Sequence, residues 1–316
     1  MSNAFNTQLR AQQEWSWLLA IWLFLGGTGS GLFLLFLILG LPPYFAALSL
    51  GFVLSGGIIL LLELGSPLRA WRTVFRPGTS WLSRGVFFVF FFIISCSLAI
   101  GPAFELFSWL PLSANGLVVK LLGWVAGLCA LMIILYPAFF FHSTSLAIPF
   151  WNTPLLPLLF VSYAVLGGDG IVLLLSSSTK SILPRAELLA IVLIVINAIM
   201  ISIYLLVMDR SGGSAKESVR RLNRAPLSWI FWIGVVGVGM LLPLLAILFI
   251  PSAVDTAGVC ILIGGLLFRY CVLKAGVYVP FALVVGGPDW SKLNRTSTDF
   301  EREYAGMAAQ SASRHR

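Results

Sequence analysis

Eight long apolar segments dominate this chain and restrict the folds open to it. They span about residues 15–40, 44–64, 85–107, 117–141, 154–175, 186–208, 228–250 and 256–285. Each is close to or above the ~20 residues that a helix needs to cross the ~30 Å apolar core of a bilayer. Lipid offers the backbone no hydrogen-bond partners, and a helix satisfies its backbone groups internally. The pattern therefore predicts an all-α membrane protein with eight transmembrane helices.

The composition excludes an ordinary soluble domain. Hydrophobic residues make up 59% of the chain and charged residues only 10%, and the mean hydropathy is +0.97. The first apolar segment is too long for the apolar core of a cleavable signal peptide, so we expect it to remain as the first helix.

Positive charge is distributed unevenly between the two faces that eight crossings define. Fifteen of the twenty Lys and Arg residues fall on the face that carries both termini. The opposite face has only Lys180 and Arg185. The positive-inside rule therefore predicts that both termini are cytoplasmic, in the inner membrane of a bacterial or archaeal cell. The net charge of +8 follows from this topology and requires no nucleic-acid partner.

Two short motifs occur once in each half of the chain. Leu-Gly-Gly-Xaa-Gly occupies 25–29 and 166–170, and Ser-Trp followed by Gly occurs at 80–85 and 228–234. We predict two parallel four-helix bundles related by an axis along the membrane normal, although chance similarity between glycine-rich segments remains an alternative. Parallel halves also occur in transporters, which leaves a secondary transporter open. The predicted regions are a cytoplasmic tail (1–14), a first bundle (15–150), a second bundle (151–285) and a second cytoplasmic tail (286–316).

The chain has few residues that bind metals. Its four cysteines, at positions 96, 129, 260 and 271, lie on three segments and never form a C-x-x-C motif, whereas an iron–sulfur cluster needs about four thiolates together. Of its two histidines, one is His315 in the C-terminal tail, which excludes a haem held by two histidines within the membrane. We therefore expect no haem or metal bound by this protein.

Four stretches of sequence resemble the NrfD-like family, the membrane subunits of polysulfide-reductase-type complexes. They are 63–69 (ELGSPLR), 76–85 (RPGTSWLSRG), 149–162 (PFWNTPLLPLLFVS) and 262–276 (LIGGLLFRYCVLKAG). The similarity extends in order over about residues 15–285, with the same number of helices.

The resemblance implies an integral membrane subunit of a multisubunit oxidoreductase in an electron-transport chain. Such a subunit anchors an iron–sulfur, ferredoxin-like subunit, often bound in turn to a molybdopterin catalytic subunit, so the substrate-converting centre lies on another subunit. It exchanges electrons with menaquinone or ubiquinone. Family members can carry polar quinone-contacting residues early in the first helix, whereas residues 17–22 read WLLAIW here. We therefore expect other residues to build the quinone site, and the cation distribution to place the partners on the cytoplasmic face.

Five residues toward the cytoplasmic ends of their helices are candidates for this site. Tyr136 can supply a hydroxyl, His142 or Glu63 a proton, and Trp22 an apolar wall, with Lys274 on the same side. The helical rise places Trp22 about 10 Å and Tyr136 about 9 Å deep. Packing, interfacial positions or a local ion pair are the structural alternatives for these residues.

Asp169 and Arg269 are ionisable residues within predicted helices. We expect both in the middle to outer half of the membrane, where they can form an ion pair or a proton path with Glu105 at its mouth. The alternative function is therefore a proton- or ion-translocating subunit of a redox complex without a working quinone site. The cations predicted to dock the iron–sulfur partner are Arg69, Arg72 and Arg76.

Overall fold

The computed structural model describes residues 9–13, 15, 17–63, 81–105, 113, 116–143, 147–175 and 181–279. In this part of the chain, eight helices are long and apolar enough to cross a membrane, which confirms the predicted number. The seventh of them joins a π-helical stretch to α8. The helices are α1 (Trp17–Leu39), α2 (Pro43–Glu63), α3 (Trp81–Ile100), α4 (Leu117–Ser143), α5 (Leu155–Leu174), α6 (Leu183–Arg210), α7 (Gly213–Leu222), the π-helix (Trp229–Leu241), α8 (Leu242–Phe249) and α9 (Val254–Ala275).

Helices α1 and α5 form the centre of the structure. Each packs against the other and also against α4 and α9. Helix α1 packs on α2 and α3 packs on α4, and in the same way α5 packs on α6 and the π-helix packs on α9. This order of neighbours is the one expected from two four-helix bundles, and the division into two parallel units stays a prediction.

The repeated glycine motifs lie where α1 meets α5. A side chain on Gly31 would collide with the backbone of Ala164, and one on Gly168 with the backbone of α1. Small residues allow two helices to approach this closely, and van der Waals packing then stabilises the contact within the membrane. The motifs at 25–29 and 166–170 therefore have a packing role at the centre of the molecule.

The two ends of the helical region meet on one face. Gln12 N–H donates to the Gly276 carbonyl at 2.9 Å, Tyr278 N–H to the Arg10 carbonyl at 2.9 Å, and Val279 N–H to the Ala147 carbonyl at 2.8 Å. We call this side, defined by residues 9–13, 147–151 and 276–279, the terminal face. The structure confirms that both ends share one face, and its assignment to the cytoplasm stays a prediction.

Two elements differ from the sequence-based expectation. The last helix ends at Ala275, about ten residues before the predicted end at 285, because the following residues pair with 10–12 instead. Helix α7 lies in a stretch that the hydropathy pattern predicts to be a connection. It is short and amphipathic, and it buries Ala215, Val219 and Leu222, so a search for long apolar segments does not detect it.

Candidate functional site

Trp22 and Tyr136 form a buried hydrogen-bonded pair between α1 and α4. The Trp22 Nε1–H donates to the Tyr136 hydroxyl at 3.1 Å, and the two side chains are only 3% and 5% exposed. Trp22 is five residues from the start of α1 and Tyr136 seven from the end of α4, which places them about 8 and 10 Å below the terminal face. The predicted convergence of these two residues is therefore observed, whereas quinone binding by them stays a prediction.

Glycines on two neighbouring helices make room for this pair. A Cβ atom on Gly56 of α2 would lie 2.8 Å from Cε3 of Trp22, and one on Gly85 of α3 would lie 2.5 Å from Cε2 of Tyr136. Both separations are below van der Waals contact, so any larger residue at either position would displace the ring. The pair is thus held on both sides by closely packed helices.

Arg269 of α9 lies beside Trp22 and is almost completely buried. Its Nη1 donates to the Gly265 carbonyl in the same helix at 2.9 Å, while Nε and Nη2 have no hydrogen-bond partner among the described residues. A cavity of about 10 Å³, lined by Trp22, Pro137, Phe160 and Arg269 among others, opens at this point. That volume accommodates about one water molecule.

The predicted pairing of Asp169 with Arg269 is not present. Both carboxylate oxygens of Asp169 are buried without a hydrogen-bond partner in the described part of the chain. Asp169 is fourteen residues from the start of α5, about 21 Å from the terminal face, whereas Arg269 is six residues from the end of α9, about 9 Å from that face. The prediction placed Arg269 too deep because it assumed that the last helix continues to 285.

The other predicted site residues lie nearer the surface or outside the described residues. Glu63 ends α2 and Lys274 is the last residue but one of α9, and both are half-buried at the level of the terminal face. Glu105 is exposed after α3 on the opposite side. The side chain of His142 falls outside the described part, as do the docking candidates Arg69, Arg72 and Arg76.

An aromatic layer separates the cavity from the terminal face. The ring of Phe160, which lines the cavity, stacks on Phe141 with centroids 5.7 Å apart. Phe141 contacts Trp151 at 5.2 Å, and Trp151 stacks on Trp15 at 4.8 Å. Trp151 is fixed in turn because its Nε1–H donates to the Val272 carbonyl at 3.1 Å. These rings form a continuous apolar contact from the face to the cavity.

A larger groove reaches the neighbourhood of Trp22 from the opposite direction. It has a volume of about 650 Å³ and is lined by Leu25 and by a stripe of α2 that includes Tyr44, Gly51 and Ser55. A Cβ atom on Gly56, which follows Ser55, would lie 3.2 Å from Leu25 and 2.8 Å from the Trp22 ring. One layer of side chains therefore separates the end of the groove from Trp22.

Sequence reasoning missed Arg269, Phe160 and the glycines as parts of this site. Arg269 was recognised as a buried ionisable residue but was assigned to a different depth. Phe160 and Gly56 carry no local signal that distinguishes them from other apolar or small residues in a membrane helix. The position of Gly85 next to a conspicuous Ser-Trp motif was visible, although nothing indicated that it faces Tyr136.

Comparisons with known proteins identify the family of this fold and site. The family model described as "Polysulphide reductase, NrfD" matches residues 6–281. Protein NrfD of Escherichia coli K12 is 29% identical over 304 residues, which is 83% of this chain and 94% of that protein. The C subunit of polysulfide reductase from Wolinella succinogenes is 23% identical over 297 residues, which is 85% and 93% respectively. The protein therefore belongs to the NrfD polysulphide reductase family of multi-span membrane proteins.

Proposed function

We propose that this protein is the quinone-reactive membrane subunit of a redox complex and exchanges electrons with an iron–sulfur subunit docked on the terminal face. The family and its relative, the C subunit of polysulfide reductase, support the membrane-subunit role. The observation that carries the quinone site is the buried Trp22–Tyr136 pair beside Arg269. It lies about 9 Å below the face.

The polar atoms of this site fit the carbonyl oxygens of a quinone. The Tyr136 hydroxyl accepts a hydrogen bond from Trp22, which leaves its own proton available for donation. Arg269 has Nε and Nη2 donors without a partner among the described residues. The cavity of about 10 Å³ is too small for a quinone ring, so binding requires the side chains around it to move apart.

A quinone takes up two electrons and two protons on reduction to a quinol. In this proposal the protein orients the carbonyl oxygens through Tyr136 and Arg269, and the surrounding rings exclude water. Electrostatic and hydrogen-bond contacts of this kind are strongest in a buried, water-poor site. Proton exchange with the terminal face is assigned to Glu63 and His142, which lie at the ends of their helices on that side.

The groove along α2 gives the quinone a route from the bilayer. A lipid-soluble ring with a long apolar tail can enter between Leu25 and Ser55 without crossing water. On the other side of the site, the aromatic layer from Phe160 to Trp15 lies between the cavity and the docked cluster. Quinone and cluster therefore approach Trp22 and Tyr136 from different directions.

The decisive experiment is purification of the complex from its native membrane with a tag on this protein. We expect an iron–sulfur subunit to co-purify, and quinol oxidation or quinone reduction to change the reduction state of its clusters. The arginines at 69, 72 and 76 are the predicted docking residues, and their replacement by Gln should weaken co-purification. Isolation of this protein alone, with no bound quinone, would contradict the proposal.

Proton translocation is the second candidate function, and Asp169 favours it. This carboxylate is completely buried, and both of its oxygens lack a hydrogen-bond partner among the described residues. Thr28, Ser30 and Ser162 are also buried there with unpartnered hydroxyls. Polar groups in such an environment mark proton or ion paths in membrane proteins. In proteoliposomes containing the complex, Asp169→Asn should abolish proton movement, whereas electron transfer without translocation by the unaltered complex would exclude this function.

A further inference from the structure

Helix α7 and the connection after it carry a cluster of cations on the side of the terminal face. Between residues 209 and 224 there are five cations and two carboxylates. Helix α7 packs against α6, α9 and the turn Pro149–Trp151, so it lies across the ends of the membrane-spanning helices. Its apolar side, with Val219 and Leu222, is buried, and this leaves the cations at the surface.

Two of these cations have no counterion among the residues that the structure describes. Arg220 forms an ion pair with Glu217 at 3.3 Å. Within the described part of the chain, neither the half-buried Arg221 nor the exposed Arg224 has a salt-bridge partner. These two guanidinium groups are therefore available to an external anion, and guanidinium binds phosphate oxygens in a bidentate manner.

The apolar surface that begins next to these arginines faces lipid. Trp229 and Trp232, at the start of the π-helix, are 66% and 51% exposed, and Ile233 is 53% exposed. The Trp232 Nε1–H donates to the Asn223 side-chain oxygen at 3.1 Å, between the two arginines and the membrane helix. Trp rings of this kind favour the level of the lipid headgroups. The cations therefore lie at the lipid boundary of the molecule.

We propose that Arg221 and Arg224, together with Trp229 and Trp232, bind the headgroup of an anionic phospholipid. The arginines contact the phosphate and compensate its charge, while the Trp rings pack along the upper part of the acyl chains. Basic residues at the membrane surface attract anionic lipids, by about fivefold in affinity for each cation. This lipid site is separate from the Trp22–Tyr136 pair and does not depend on quinone binding.

The test uses the full-length protein in neutral detergent, with native mass spectrometry to count bound lipids. Phosphatidylglycerol and phosphatidylcholine with identical acyl chains are added separately. We expect the unaltered protein to retain phosphatidylglycerol preferentially, and the double variant Arg221→Gln/Arg224→Gln to bind it about tenfold more weakly. Lysine at both positions should restore most of the binding, because it keeps the charge. Inorganic phosphate alone should not displace the lipid.

The matched control is Lys120→Gln/Arg185→Gln, which removes two exposed cations from the opposite face. It should bind phosphatidylglycerol like the unaltered protein, and thermal unfolding should show that both double variants are folded. Equal retention of the two lipids, an equal loss in the control, or displacement by phosphate would overturn the proposal. Unchanged lipid binding combined with loss of a partner subunit from the Arg221/Arg224 variant would instead assign this surface to a protein.

Discussion

Replacement of Tyr136 by Phe separates the chemical role of its hydroxyl from its packing. The change removes one oxygen atom and leaves the ring, which lies against Gly85, in place. Trp22 then loses the acceptor of its 3.1 Å hydrogen bond. If the hydroxyl also binds a quinone oxygen, the variant loses this contact as well.

The structure sets the expected magnitudes. Loss of a neutral hydrogen bond with a buried donor left behind destabilises a protein by about 1–3 kcal/mol. A single hydrogen bond to the reacting oxygen, worth about 1.4 kcal/mol in the transition state, corresponds to a tenfold loss of rate. We therefore expect Tyr136→Phe to be mildly destabilised and to retain about a tenth or less of quinol-coupled turnover.

Tyr204→Phe provides a matched control. The Tyr204 hydroxyl donates to the Phe150 carbonyl at 2.6 Å, and this residue is as deeply buried as Tyr136. It takes no part in the proposed quinone site. Thermal unfolding of both variants, with cluster reduction by quinol in the purified complex, distinguishes the two roles. Similar losses of stability with a loss of turnover only in Tyr136→Phe would support the site, whereas equal turnover in the two variants would refute it.

Two further predictions concern the opposite sides of the site. Arg269→Met removes a buried cation that has a single hydrogen bond to the described residues, so the melting temperature should stay equal or rise, while quinol turnover falls at least tenfold; retained turnover would exclude a role in binding. Gly51→Trp should obstruct the groove along α2 and raise the KM for a long-tailed quinol several-fold, whereas Gly57→Trp, outside the groove but equally open to a side chain, should leave it unchanged. Steady-state kinetics with short- and long-tailed quinols test this, and identical KM values in both variants would argue against lateral access.

The comparison between sequence and structure is most instructive at the end of the last helix. Apolar residues continue well beyond Ala275, so hydropathy predicts a longer helix. The chain leaves the helix there because its backbone pairs with residues 10–12. This pairing depends on a segment more than 260 residues away, and its consequence was an error of depth for Arg269.

The site itself was predictable in part. The rise per residue placed Trp22 and Tyr136 at similar depths, and the structure joins them directly. Depth alone does not specify the direction in which a side chain leaves its helix. Asp169 and Arg269 accordingly looked like partners in the sequence, although they lie at different levels in the fold.

The amino-acid sequence alone determined the eight apolar spans, the uneven distribution of cations and the family resemblance. These properties follow from each residue's own preference for lipid or water, which adds up along a continuous stretch of residues. Only the tertiary structure decided that α1 packs on α5 through glycines, that Arg269 lies beside Trp22, and that α7 crosses the terminal face. Such contacts depend on the shapes of segments far apart in the sequence, because helices in a membrane choose their neighbours by close packing rather than by hydrophobicity.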